Sequence, residues 1–299
     1  MAKKNKTLGT ICVLAAGSLW GMMSIFVNGM NDMGLKAMDV IAVRVWVSAA
    51  VMAAGMAIYN KNMLKVRLRD LWCFFGTGIV SLTMFNYCYF SNILLTSPGV
   101  AAVLMYTSPV FIMLMSALLF KEKLTPFKVI ACIMTIIGCA LVGGVTGEGI
   151  SLAGIVLGLL SGIGYALYSI FGRIATDKGY SSMTVTVYTF IFACIGTAPF
   201  TNFGKIASAV AGGNASTVVW MIIGAVVITL VPYLLYTIGL EHIETSTAGV
   251  IAAIEVIVAA LVGRLIFSED FTPPKLAGII LVLAALVVMN IKKKNHIAQ

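Results

Sequence analysis

Phe120-Lys121-Glu122-Lys123-Leu124-Thr125-Pro126 and Phe267-Ser268-Glu269-Asp270-Phe271-Thr272-Pro273 are one heptad, F-x-E-x-x-T-P, written twice at a separation of 147 residues. Both copies sit in polar breaks between apolar stretches, where a shared taste for Leu, Ile, Val and Ala cannot generate a match. The heptad therefore reads as the trace of a duplication, a feature that decides architecture before any other motif. The same separation pairs Tyr89 with Tyr236 and Ala101 with Ala248. Nearer the start of each half the separation is 145, pairing Ser24-Ile25-Phe26 with Ser169-Ile170-Phe171, Gly17 with Gly162 and Gly34 with Gly179. Two separations that differ by a two-residue gap place the halves at 1–147 and 148–299.

Between the polar breaks lie ten apolar blocks, at 8–28, 38–59, 70–92, 97–120, 127–145, 150–173, 182–200, 216–240, 245–267 and 274–291. A spanning helix needs roughly 20 mostly apolar residues. The chain is 60% apolar and only 10% charged, against about 25% charged in soluble domains. Lipid cannot satisfy open backbone groups, so each block must be a helix or a strand of a closed barrel. Barrel strands run about 10 residues with alternating polarity, and these blocks are longer and apolar on every side. The reading is an all-α integral membrane protein of ten transmembrane helices. Five helices per half is an odd number, so the second half enters from the opposite face, giving two inverted five-helix repeats. Such repeats characterise secondary transporters, with the site near the midplane between the halves.

The net charge of +9 would fit a nucleic-acid partner, but its placement argues against one. Lys3, Lys4, Lys6, Lys61, Lys65, Arg67, Arg69, Lys121, Lys123, Lys128, Arg173, Lys178, Lys292, Lys293 and Lys294 all fall on one side if every block crosses once. The opposite connections hold only Lys36, Lys205 and Lys275, with Arg44 and Arg264 inside blocks. Lys and Arg in short connections stay cytoplasmic, so both termini are expected inside, in the cytoplasmic membrane. The first block runs on through Trp20 to Val27, beyond the apolar length of a cleaved signal, and is expected to be retained. The six cysteines all lie in apolar blocks without a C-x-x-C pair, and His242 and His296 are the only imidazoles. Neither a metal site nor a cofactor is expected.

The doubled pattern also resembles a known family. The first half carries Trp20-Gly21, Arg44, the Tyr106-Thr107-Ser108-Pro109 run and Glu122; the second carries Ala252-Ala253-Ile254-Glu255 and Glu269. In this order and doubling they are similar to the EamA branch of the drug/metabolite transporter superfamily, across essentially the whole chain. The resemblance implies ten helices, a central cavity built from the earlier helices of each half, and passage of small metabolites, often amino acids and often outward. Val256 stands where the family pattern has a proline after the glutamate, which removes the covalent cause of a kink there. The superfamily's small four-helix relatives couple drugs to protons through an acid in their first helix. The first block here contains none.

Ionisable groups inside a bilayer are costly and mark function. Glu255 lies ten residues into its block, roughly 15 Å deep at about 1.5 Å per residue. Desolvation there favours the neutral acid. Such a carboxyl either exchanges a proton or holds a substrate ammonium, or it serves only to tie helices together. Arg44, about 9 Å into its block, either snorkels outward as a structural tie or meets a substrate carboxylate. The i, i+4, i+7 rule puts Leu82, Asn86 and Tyr89 on one face, matched by Thr229, Tyr233 and Tyr236. Ala101, Met105 and Ser108 share another, matched by Ala248, Ala252 and Glu255. Trp20 pairs with Tyr165 at the 145 separation, each deep in its block. Substrate-lining candidates are thus Trp20, Asn86, Tyr89, Ser108, Tyr165, Tyr233, Tyr236 and Glu255. For Tyr89 and Tyr236 a place in the interfacial aromatic belt competes with that role.

Gly17-x-x-x-Gly21 and Gly162-x-x-x-Ala166 stack small residues on one face, which reads as close helix packing. Pro109 and Pro232 interrupt their blocks and free the carbonyls of Met105 and Ile228, making them candidate hinges for gating beside Glu255 and Arg44. An integral-membrane enzyme would need clustered Asp, His or Cys, yet the five aspartates are scattered and no H-E-x-x-H occurs. A channel would need charge rings or a carbonyl filter, and one midplane acid supplies neither. The sequence therefore points to a secondary transporter, not an enzyme, moving a small organic solute such as an amino acid by alternating access. Protons are a candidate coupling ion.

Overall fold

The computed structural model describes residues 5–96, 98–143, 151–268, 270 and 272–290. Among these the chain is helical throughout, with no strand. Eight helices are long and apolar enough to cross a membrane: α1 (Lys6–Asp32), α2 (Ala37–Tyr59), α3 (Leu68–Leu95), α4 (Val100–Phe120), α6 (Leu152–Asp177), α7 (Ser182–Phe200), α8 (Ala215–His242) and α9 (Thr245–Ile266). Two shorter apolar helices complete the bundle, α5 (Pro126–Gly143) and α10 (Pro273–Asn290). A further short helix, Phe203–Gly212, joins α7 to α8. The chain is a multi-pass helical membrane protein.

Local chemistry sets the boundaries. Asn5, Ser151, Ser181 and Asn214 each accept a hydrogen bond from the N–H three residues on, opening α1, α6, α7 and α8. In the first heptad four residues have identifiable tasks. Lys121 turns left-handed at φ 55° and stops α4, its N–H and that of Glu122 both returning to the Ser116 carbonyl. Thr125 Oγ1 accepts from Lys128 N–H and Pro126 starts α5, a position where proline's missing N–H costs nothing. In the second heptad Ser268 repeats the left-handed turn at φ 55°; Glu269 and Phe271 lie outside the described residues.

Other features recur at the same separations. Gly34 (φ 79°) and Gly179 (φ 92°) close α1 and α6. In each turn the glycine N–H bonds the residue three back, Asn31 or Thr176, and the next N–H bonds the residue five back, Met30 or Ala175. A β-carbon is disfavoured at that backbone angle, which accounts for glycine in both. α3 is π-helical over Gly76–Thr83 and α8 over Val226–Leu230. The second stretch ends two residues before Pro232, whose nitrogen has no N–H to donate, so the lost bond falls beside the wider turn. α4 consists of Pro98–Met105 and Ser108–Phe120, and α9 of Thr245–Ile251 and Ile254–Ile266. Thus α9 breaks where α4 does, although it has Val256 in place of Pro109. Three successive tight bonds, Ala253 to Val250, Glu255 to Ala252 and Val256 to Ala253, make the break without proline.

Packing crosses between the halves. α1 lies on α8 and α9, and α6 lies on α3 and α4; α2 pairs with α7 and α5 with α10. The small-residue faces meet the two breaks. A β-carbon on Gly17 would come 2.6 Å from Ile254 Cγ2 and 2.9 Å from the Ala252 carbonyl oxygen. One on Gly162 would come 2.7 Å from Thr107 Oγ1 and 3.2 Å from the Met105 carbonyl. Ala252 and Met105 are themselves 147 residues apart. At the end where α4 and α8 finish, Glu122 accepts from the N–H groups of Thr245 (2.7 Å) and Ser246 (3.2 Å) and from the Ser246 hydroxyl, satisfying the first donors of α9. Lys128 supports this cap, 2.7 Å from Glu244.

The glycine contact is testable. Gly17→Ala is expected to cost about 1–3 kcal/mol through overpacking, seen as a lower unfolding midpoint in detergent. Gly55→Ala, where nothing lies within 4 Å, should leave the midpoint unchanged or raise it.

Candidate functional site

Glu255 is the second residue of the outgoing segment of α9, directly past the break. An acid in the first turn complements the positive end of a helix, so the break also gives the carboxylate a favourable backbone environment. The side chain is half-buried in the bundle. The Tyr165 hydroxyl donates to its Oε2 at 3.5 Å, and Tyr106 lies close enough to interact with it electrostatically. Tyr106 stands at the break of α4 and Tyr165 on α6, so the acid has tyrosines of both halves beside it.

Aromatic rings form the wall. Trp20, only 8% exposed, touches Tyr165, Tyr233 and Tyr236 with ring centroids at 6.3, 5.2 and 5.5 Å. Tyr233 also packs on Tyr168 (4.9 Å) and Phe190 (5.5 Å). On the other side Phe85 meets Tyr165 at 5.6 Å and Tyr89 at 6.0 Å. The buried hydroxyls are satisfied, Tyr168 pairing with Thr237 and Tyr236 with Ser169, both at 2.7 Å. These bonds fix the rings, since an unpaired hydroxyl would be costly here.

Arg44 is buried on α2 and donates from Nε to Thr229 Oγ1 at 2.8 Å, reaching the π-helical stretch of α8. It is close enough to Glu255 and Tyr233 to interact electrostatically. Among the described residues no carboxylate lies within ion-pair distance of it. The site thus holds one cation and one acid that do not neutralise each other by contact, separated by aromatic surface.

The structure therefore gathers Trp20, Tyr165, Tyr233, Tyr236, Glu255 and Arg44, with Tyr89 half-buried at the edge beside Phe85 and Phe90. Tyr236 is 1% exposed and tied to Ser169, so it belongs to the bundle core and not to an interfacial belt. Asn86 turns back on its own helix, donating to the Leu82 carbonyl at 2.7 Å. Ser108 is buried at the start of the outgoing segment of α4, and Pro109 follows it there. Sequence reasoning passed over Tyr106, Phe85 and Tyr168 as lining residues. Tyr168 was within reach, being three residues from Tyr165 and hence on the same face. Tyr106 was not, because at regular helical spacing it falls off the face that Ala101, Met105 and Ser108 define, and it stands in the break itself. Two grooves lie away from this cluster: one of about 560 Å3 between the α2–α3 and α6–α7 connections, and an apolar one of about 260 Å3 between α2, Phe203–Gly212 and α8.

If Trp20 anchors the wall, Trp20→Ala should cost about 3–5 kcal/mol of stability, whereas Trp46→Ala, at a site 43% exposed, should cost far less. Unfolding midpoints in detergent for the two variants decide this.

Known proteins resemble this chain over most of its length. An uncharacterized transporter of Archaeoglobus fulgidus is 28% identical over 215 residues, covering 70% of this chain and 75% of that protein. The threonine/homoserine exporter RhtA of Escherichia coli is 25% identical over 293 residues, covering 97% of this chain and 94% of RhtA. A crystal structure of a protein 17% identical superimposes with a TM-score of 0.76, covering 96% of this chain and 97% of the other, and so shares the fold. The EamA-like transporter family matches twice, over residues 7–144 and 152–291, and the chain belongs to that family of membrane transporters.

Proposed function

We propose that this protein is a secondary transporter of a small zwitterionic metabolite, an amino acid or close relative, and that it exports the solute across the cytoplasmic membrane by alternating access. In this reading ten helices cross the bilayer as two inverted five-helix repeats, 1–147 and 148–299, with both termini cytoplasmic. The observation that carries the proposal is the Glu255 carboxylate bonded by Tyr165 within an aromatic wall, with Arg44 nearby and, among the described residues, in no ion pair. A carboxylate and aromatic faces suit an ammonium group, and a guanidinium suits a carboxylate. RhtA, by its name an exporter of threonine and homoserine, supports the same solute class. The aromatic surface also accommodates larger amphiphilic metabolites or drugs, which is the second reading.

Glu255 has the properties of a coupling group as well as a binding group. When charged it holds the ammonium; when protonated it releases it. An outward-facing site that takes up a proton would discharge the solute and return with Glu255 neutral. Trp20, Tyr89, Tyr165, Tyr233, Tyr236, Asn86 and Ser108 are the proposed lining, and the breaks and wide turns beside Pro109 and Pro232 are the proposed bending points.

The test is uptake by proteoliposomes. Saturable, trans-stimulated exchange of the solute is expected, faster with an imposed proton gradient. Glu255→Gln should reduce exchange at least tenfold and remove its dependence on pH. Conductance at channel rates, a covalently altered product, or an unchanged rate and pH profile in Glu255→Gln would refute the reading.

A further inference from the structure

The connections α2–α3 and α6–α7 enclose the open groove of about 560 Å3, which none of the residues around Glu255 line. Lys65, Arg67 and Lys178 line it, together with Tyr180, Ser181 and Thr184, and no carboxylate is among the lining residues. Two acids stand behind it: Asp70, 1% exposed, and Glu241, which accepts from the N–H and the hydroxyl of Ser182 at the start of α7. Asp70 receives Arg67 Nε at 2.8 Å, Lys178 Nζ at 2.5 Å and the Tyr180 hydroxyl at 2.9 Å. Two negative charges behind three positive ones leave the groove with an excess of one.

The cations are also held in place. Tyr180 accepts from the Arg67 N–H at 3.1 Å, and its ring lies 5.9 Å from the Arg67 guanidinium, while the Arg67 side chain stays 56% exposed. Thr184 bonds the Met63 carbonyl at 2.8 Å, which ties the two connections to each other. Ser181 caps α7, and Glu241 takes the N–H of Ser182 beside it, so this helix start is fixed in place. Height in the membrane follows from the helix ends. Arg67 directly precedes α3, and Lys178 to Ser181 span the gap between α6 and α7, so the groove opens at the rim of the bundle where lipid headgroups lie.

We propose that this groove binds a phosphate group, that of an anionic phospholipid headgroup in the adjoining leaflet. A planar guanidinium beside two ammonium groups matches phosphate oxygens, and basic pockets between membrane helices recognise anionic headgroups. Because Lys65 and Arg67 come from the first half and Lys178 from the second, the bound headgroup bridges the halves. It stabilises the arrangement in which these two connections stay together.

The experiment uses the full-length protein in neutral detergent. Phosphatidylglycerol, phosphatidylcholine and inorganic phosphate are titrated separately while the unfolding midpoint is read. Phosphatidylglycerol should raise the midpoint and phosphatidylcholine should not. Lys65→Glu, an exposed change, and Lys65→Ala/Arg67→Gln should each shift the titration to at least about fivefold higher lipid. Lys121→Ala/Lys123→Ala, charge-matched on another connection, should not. An equal response to inorganic phosphate that Lys65→Glu also weakens assigns the site to soluble phosphate. No lipid-selective shift in the wild-type protein, or the same loss in the Lys121/Lys123 control, overturns the proposal.

Discussion

Gly17 on α1 and Gly162 on α6 allow backbone to meet backbone at the places where α9 and α4 are broken. A broken membrane helix leaves carbonyls without their usual partners, and lipid offers none, at several kcal/mol for each exposed group. Such a break survives only when protein or a wet cavity covers it. Here the cover is a glycine face from the opposite half, close enough that a single added methyl would collide with the Ala252 carbonyl. The contact also selects which helices cross between halves: α1 must leave its own half to lie on α9, and α6 must lie on α4.

From this constraint the site follows. The break turns Glu255 into the first turn of a new helix segment, where the carboxylate is favoured, and Tyr106 stands in the matching break of α4. Symmetry supplies the frame and its violation supplies the chemistry, because Ser108 occupies in α4 the position that Glu255 holds in α9. Two copies of the acid would repel one another in a medium of low dielectric. One acid with a tyrosine donor and a nearby arginine gives a polarised centre between otherwise equivalent halves.

Much of this could be read from the residues. The doubled heptad proved to contain a helix stop at Lys121, a cap for α9 in Glu122 and a helix start at Thr125-Pro126. Its spacing survived because each part answers to local backbone chemistry. The partners Trp20 and Tyr165 were legible for the same reason, lying deep in regular helices. What escaped was whatever depends on departures from regular helix. The break in α9 carries no proline and no glycine at residues 252–253, so no residue type announces it. Tyr106 was missed with it, since at regular helical spacing it falls off the face counted, and it stands in the break itself. Asn86 adds a feature its polarity did not announce, a bond from its amide to the Leu82 carbonyl of its own helix.

The central claim is that the Glu255 cluster opens to one side of the membrane and then to the other. Cysteine accessibility at Tyr89 tests it most directly. Tyr89→Cys would be made in a background lacking the six native cysteines and placed in sealed vesicles of known orientation. A membrane-impermeant thiol reagent is then applied from each side in turn. The account expects modification from both sides during exchange, with the balance shifting when solute is present on one side only. Modification from a single side under every condition would contradict it.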